Sequence, residues 1–340
     1  MDKKRKTLIA RLVALVVTLI SVYVFSPWQY GLYYLTSTPS SLQEVADEAT
    51  SRELEGIIFY AQTGENSPQL VASGWHNRKD KVAAYPEALF KIASIEKLYI
   101  AAAVTKLVGE GKLDLSKSLA FYLPEVANRI EHSDNITLAM MVKHRSGIPN
   151  WTDVEGFSWT EKYPEPLELI FDTPADFLPN ESYSYSNSNY SLLKKVMDKV
   201  LGYPSWQYIE EMLLTPLQLN NTYQSINEVE MAKLMSGYYI GYEDDFKSLE
   251  QGFVATAQDV GIFLKALNQG IFFSESEQQI YRELYEYGHT GWVLGYYSIA
   301  KYHPELDTVL IQFVNTNGAD TILLSDIVYG RALDVLASQP

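Results

Sequence analysis

The apolar positions fall into two regimes. From Leu12 to Phe25 they are almost unbroken, whereas farther along they come in short groups divided by polar turns. Ser40 to Arg52 reads as a helix, and Leu54 to Tyr60 and Gln69 to Trp75 read as strands with Thr63-Gly64-Glu65-Asn66 as the turn between them. Ala93 to Val108 is apolar nearly all the way round, through Ile95, Leu98, Ile100, Ala101 to Val104, Leu107 and Val108, which predicts a buried helix. Helical patches and loops fill about 95–285. Strands at 292–301 and 306–315 follow, then a helix from about 320 to 336. Strands from both ends around a helical middle predict an α+β fold, an antiparallel sheet flanked by N- and C-terminal helices with a mainly helical inserted subdomain.

The first regime is a different kind of sequence. Lys3, Lys4, Arg5, Lys6 and Arg11 precede the apolar run, and Trp28, Tyr30, Tyr33 and Tyr34 follow it, as at the far interface of a bilayer. No small-x-small cleavage pattern follows the run, which favours an uncleaved signal anchor. Residues 1–35 are therefore expected to form a cytoplasmic basic tail and single-pass membrane anchor, with a catalytic domain at 36–340 outside the cell membrane.

Charge and composition narrow the partners. The five basic residues less Asp2 contribute +4, so with −15 overall the remainder carries −19, a balance that repels nucleic acid and suits a small or peptidic substrate. The chain has no cysteine, which removes disulfides, reactive thiols and a lipoprotein anchor. Its five histidines are scattered without His-Glu-x-x-His spacing, and Glu243-Asp244-Asp245 reads as a solvated turn, so neither a metal nor a cofactor is expected.

Three short motifs carry candidate chemistry: Ser94-Ile95-Glu96-Lys97, Tyr185-Ser186-Asn187 and His289-Thr290-Gly291. Residues three apart on a helix share a face, so Lys97 should stand over the Ser94 hydroxyl on the apolar helix, where an ammonium loses hydration and its neutral form is favoured. Free N–H groups at the helix start would stabilise negative charge on an attacked carbonyl oxygen. Ser-x-x-Lys recurs at Ser191/Lys194, on the polar side of a helix, and at Ser298/Lys301, on opposite faces of a strand; neither pair is expected to act together, and both serines are expected to be dispensable. Taken alone, 182–190 composes as a turn and His289 as a structural histidine.

The ordered set resembles the serine penicillin-recognising enzymes, in the branch of class C β-lactamases, D-Ala-D-Ala carboxypeptidases and related esterases. Phe90 to Lys97, Glu110 to Leu115, Tyr122 to Glu125, His144 to Pro149 and Val254 to Asp259 extend the likeness over roughly 40–336. The resemblance implies a β-lactamase/transpeptidase-like fold with its site in the cleft between sheet and insert. It implies Ser94 as nucleophile, Lys97 as its hydrogen-bonded partner, and Tyr185 as general base with its pKa lowered by the lysine. Asn187 would hold the substrate amide, His289, Thr290 and Gly291 would form the docking edge, and the N–H groups of Ser94 and Trp292 would form the oxyanion hole. Two positions depart from the family: Phe253 stands where many members have glycine, and Trp292 where a small residue is common. No counterpart of the deacylating glutamate of class A β-lactamases is evident, since Glu165 and Glu168 read as solvated charges.

The expected function is a membrane-anchored serine hydrolase with an acyl-enzyme mechanism, of D-Ala-D-Ala carboxypeptidase or D-aminoacyl hydrolase type, acting on a small peptide of the cell envelope and inhibited by β-lactams. An esterase or β-lactamase on the same fold is the alternative. A non-catalytic envelope-binding protein is the alternative of another class. His289, with an unperturbed pKa near 6.5, is expected to hold a substrate carboxylate only when protonated, so that acylation by such substrates falls from pH 6 toward pH 8.

Overall fold

The computed structural model describes residues 3–25, 28–161, 163, 165–250 and 252–339; Asp2 of the basic flank and the side chain of Tyr34 lie outside the described residues. Its α-helices are α1 Lys3–Phe25, α2 Trp28–Leu35, α3 Leu42–Thr50, α4 Glu96–Gly109, α5 Leu119–Tyr122, α6 Pro124–Ala127, α7 Leu138–Val142, α8 Asn187–Leu201, α9 Ser205–Ile209, α10 Ala257–Gln269, α11 Glu275–Leu284 and α12 Thr321–Ser338. The strands are β1 Gly56–Thr63, β2 Gln69–Asn77, β3 Val82–Ala83, β4 Phe90–Lys91, β5 Thr222–Tyr223, β6 Tyr238–Tyr239, β7 Val254–Ala255, β8 His289–Val293, β9 Tyr296–His303, β10 Thr308–Val314 and β11 Thr316–Asn317.

Six strands pair in the order β3-β2-β1-β10-β9-β8, antiparallel throughout. Strands from the two ends of the chain meet at its centre, where Ile57 lies opposite Val314 and Tyr60 opposite Ile311. Side chains alternate between faces along a strand. Accordingly Ile58, Tyr60, Ile311 and Phe313 join the core under the helical middle, whereas Ile57, Phe59, Leu310 and Val314 join a second core under α3 and α12. Both faces are covered, which is why β10 is buried along its whole length and is apolar on both faces apart from Thr308 and Gln312.

The insert is built on α4, whose residues Lys97 to Leu107 are all buried. α10, by contrast, packs on β1, β9 and β10; it is capped by Thr256, whose side chain accepts from Asp259 N–H, and ended by Gly270 in the left-handed conformation. The expected strand 292–301 is a hairpin instead. β8 begins at His289 and ends at Val293, because Gly295, at φ +83°, turns the chain and gives its N–H to Asn317 Oδ1 at 2.8 Å.

At the N-terminus, α1 is a 23-residue helix with no buried residue, and it alone among the described helices is long and apolar enough to cross a membrane. Of the aromatic residues after it, Trp28 is exposed but Tyr33 is not. Tyr33 is 2% exposed within the core under α12, with the Arg52 guanidinium 4.1 Å from its ring centre. Arg331 of α12 donates to Tyr33 O at 2.6 Å and Ser37 O at 2.8 Å, and pairs with Glu48 at 3.0 Å. The Tyr33 ring is therefore satisfied by protein rather than lipid, and packing of the globular unit begins within α2 instead of after residue 35.

Candidate active site

Ser94 lies in a single 3₁₀ turn, Ala93–Ile95, that leads into α4. Ala93 sits at φ +48°, outside the ordinary region for a residue with a side chain, and such strain concentrates at functional turns. The sequence alone predicts a plain helix start here; the left-handed residue tightens the turn that presents Ser94. Two neighbours hold it. Buried Ser298 of β9 donates to Ile92 O at 3.2 Å, so a residue set aside on strand parity supports the Ser94 turn from beneath. Gly291 of β8 lies so close that an added Cβ would stand 2.2 Å from Ile92 O and 2.4 Å from Ser298 Oγ. The glycine of His-Thr-Gly is thus set by close approach of two backbones.

Two side chains reach Ser94, and two asparagines order them from behind. Lys97, one turn on and 2% exposed, places Nζ 3.3 Å from Ser94 Oγ and donates to Asn187 Oδ1 at 2.8 Å. Tyr185, in the segment before α8, donates its hydroxyl to Ser94 Oγ at 2.6 Å. Asn187 opens α8, and its N–H and Nδ2 both reach Asn150 Oδ1, at 3.0 and 3.2 Å. Asn150 also lines the cleft and fixes the amide so that its oxygen faces Lys97; sequence reasoning missed it, since a lone asparagine after Pro149 reads as a turn.

Burial sets the protonation pattern. It lowers Lys97 to about 8, against a smaller raising effect of Glu96, so neutral amine is plentiful near neutral pH. The expectation that the lysine would lower Tyr185 is overturned. Burial raises Tyr185 above its ordinary value, with only the Ser94 hydrogen bond pulling the other way to a lesser extent. The Lys97 ammonium is 5.0 Å from the Tyr185 ring centre and spends its short hydrogen bond on Asn187. Tyr185 is therefore held protonated in the free site.

His289 is the second correction. Burial pushes it down to about 4, and its Nδ1 hydrogen-bonds the carbonyl of Thr290. The ring packs beside Tyr185 and Tyr285 at 6.3 and 6.1 Å between centres, leaving a neutral imidazole where an unperturbed histidine would titrate. His144, stacked 4.5 Å from Tyr185, accepts from Ser186 N–H at 3.1 Å and is lowered to about 3 by burial. It is a neutral prop for the base loop.

Ser94, Tyr185, Asn187, Asn150 and His289 border one cleft of about 680 Å³ between the edge strand β8 and the insert, lined also by Thr290, Trp292, Trp159, Asp153, Glu286 and Lys301. Lys301 lies on β9 beside Gly288, whose added Cβ would stand 2.9 Å from Ala300 O, so the glycine is set by that backbone approach. Phe253, where the resemblance has glycine, points into the core and packs 4.8 Å from Trp206. Trp292 does face the site, in edge contact with Trp159 at 5.2 Å. Among the described residues no group of three His, Asp or Glu is arranged to hold a metal ion.

A six-stranded antiparallel sheet with a serine–lysine–tyrosine cluster at its edge defines the class, and the comparisons agree: the profile of the Beta-lactamase family matches residues 56–292. The chain belongs to the Beta-lactamase family. It is 30% identical over 151 residues, 42% of this chain and 35% of the relative, to the Escherichia coli K12 protein named "Putative D-alanyl-D-alanine carboxypeptidase". The chain thus spans about a third of the length of that relative. In fold it is similar to D-amino acid amidase from Ochrobactrum anthropi SV3, with TM-score 0.76 at 19% identity over 87% of this chain and 98% of the other. The penicillin binding protein from Bacillus halodurans gives TM-score 0.72 at 21% identity over 87% and 99%.

Proposed function

We propose that the protein is a serine hydrolase that works through an acyl-enzyme on a D-alanyl or related D-aminoacyl bond of the cell envelope. The observation that carries this reading is the convergence of Tyr185 Oη and Lys97 Nζ on Ser94 Oγ, at 2.6 and 3.3 Å, in an open cleft. Neutral Lys97 takes the Ser94 proton as Oγ attacks the carbonyl carbon, and the N–H groups of Ser94 and Trp292 receive the oxyanion. Tyr185 gives its proton to the leaving group and recovers one through the Lys97 side. Water then repeats the sequence on the acyl-enzyme. Asn187 and the backbone edge at Thr290 hold the acyl group, and Lys301 supplies the cation for a leaving-group carboxylate.

An esterase is the second reading. The neutral imidazole at position 289 favours it, because the docking edge itself then offers no charge to a carboxylate. Mass spectrometry of the protein incubated with β-lactams, D-Ala-D-Ala peptides and short-chain esters separates the two by which reagent leaves a covalent adduct. Ser94→Ala should remove every adduct; an adduct surviving that change would sink the nucleophile assignment. A catalytically silent binder would give none in the wild type.

α1, at about 1.5 Å per residue, is some 34 Å long against a hydrocarbon core of about 30 Å, and we place it as a signal anchor with the catalytic domain outside. Protease added to intact cells should then remove the domain and spare the tail. Recovery of the domain free in the medium would show cleavage instead.

A further inference from the structure

The first two helices and the last one meet at one end of the molecule. Only residues 26–27 separate α1 from α2, and the joint is bonded on both sides. Trp28, which opens α2, donates its indole N–H to Tyr23 O of α1 at 2.8 Å. Tyr30 donates its hydroxyl to the carbonyl of Asp320, the residue before α12, at 3.1 Å. Farther along, Arg331 of α12 reaches Tyr33 O and Ser37 O. These contacts advance in the same sense along both helices, so α2 and α12 lie side by side with their N-termini together, next to the end of α1.

The exposed surface at that end is apolar. Leu324, Val328, Ala332 and Val335 of α12 face the core. Its outer face carries Ile322 and Leu323 in the first turn, both exposed, and then exposed Asp326, Gly330 and Asp334. The solvent face of α12 is therefore apolar only in the turn nearest α1. Exposed Trp28 stands at the same end, and exposed Ile240 is joined to it by its N–H, which donates to Asn317 O at 2.9 Å. Gathered apolar side chains mark a contact surface, and tryptophan with aliphatic neighbours is the composition of a membrane boundary. The exposed charges beside these residues in sequence, Asp320, Glu243 and Asp244, are acidic, so such a contact is apolar rather than an attraction to anionic headgroups.

We propose that this end of the catalytic unit, Trp28 with Ile322 and Leu323, rests in the headgroup boundary of the outer leaflet, so that the unit is docked on lipid instead of swinging on a tether. The proposal rests on the reading of α1 as a membrane anchor. Given that reading, the short joint leaves little choice, since the three steps from Phe25 to Trp28 span at most about 11 Å of extended chain. Asn317, just before α12, also holds the β8–β9 hairpin through Gly295 N–H, Val293 O and Tyr296 O. Lipid contact thereby fixes the height of the substrate-docking edge above the membrane.

The chain has no cysteine, so single-cysteine variants of the full chain each take one environment-sensitive fluorophore, read in phosphatidylcholine vesicles. Ile322→Cys and Leu323→Cys report the proposed face, Val17→Cys reports α1, and Phe121→Cys labels an exposed apolar position of α5 in the insert. Lipid spin-labelled just below its headgroup should quench the labels at 322 and 323 at least about twofold and leave that at 121 within about a tenth of its unquenched intensity, as for an apolar face sunk about 5–10 Å into the boundary. Quenching at 17 with no more at 322 and 323 than at 121 overturns the docking alone. No quenching at 17 removes the anchor reading and the docking with it. Labels at 322 and 323 that are blue-shifted yet unquenched would mean that protein, such as a second copy of this chain, covers the face, and would also overturn the proposal.

Discussion

At the scale of single residues, function depends on which groups lose water. Lys97 is lowered to about 8 by burial, and its neutral form is the competent one. For a neutral ester, kcat/KM should therefore rise about tenfold per pH unit below about 8 and level off above it. A profile flat from pH 6 to 9 would remove Lys97 as the base. His289, lowered to about 4, stays neutral across that range, so a carboxylate-bearing substrate should follow the same profile as the neutral ester, contrary to the expectation from an unperturbed imidazole. The carboxylate should respond to Lys301 instead. Lys301→Met should raise KM about two- to fivefold for a carboxylate substrate, as fits one exposed ion pair, and leave the neutral ester unchanged; steady-state kinetics on the pair of substrates checks both statements.

At the scale of elements, the site is a contact between two of them. β8 presses its glycine against the turn before α4, with Ile92 O 2.2 Å from where a Cβ would sit. Gly291→Ala must push the edge strand off the nucleophile's turn. The expected result is a stability loss of about 1–3 kcal/mol, as for overpacking elsewhere, together with a fall in kcat/KM of at least about 100-fold, since displacement of about 1 Å near the chemistry has that cost. Thermal denaturation and kinetics on the same preparation test it; a variant with wild-type kinetics would show that the close approach is dispensable. Ser298 belongs to the same contact, and its alanine variant is expected to lose about 1 kcal/mol with its bond to Ile92 O, where strand parity alone marked it as irrelevant.

At the scale of the whole molecule, α1 is followed by a helix, α2, that packs with the globular unit. Tyr33 is 2% exposed and Arg331 grips the Tyr33 and Ser37 carbonyls at 2.6 and 2.8 Å. A chain begun at residue 36 should lose about 3 kcal/mol relative to one begun at residue 28, the cost typical of deleting a buried aromatic side chain. Denaturant titration of the two truncations measures the difference, and equal midpoints would show that α2 is only a linker.

Much of the fold was written in the pattern of apolar residues. The helices over 42–50, 96–109 and 321–338 and the central strands follow from periodicity, because burial on one face or on all sides leaves a local signature. The Ser94–Lys97 contact was legible for the same reason: three-residue spacing on one helix is local geometry. What the sequence could not contain was set by distance through space. Tyr185 lies 91 positions from Ser94, and its raised pKa, like the lowered one of His289, depends on how completely the fold removes water around it. Likewise the hairpin at Gly295, the support given by Ser298 and the burial of Tyr33 all arise where remote segments meet. Local propensity and spacing determined the elements and the contact between Ser94 and Lys97; tertiary packing decided which groups lose water, which remote segments meet at Ser94, and that Tyr33 is buried, because each of these depends on segments far apart in the chain.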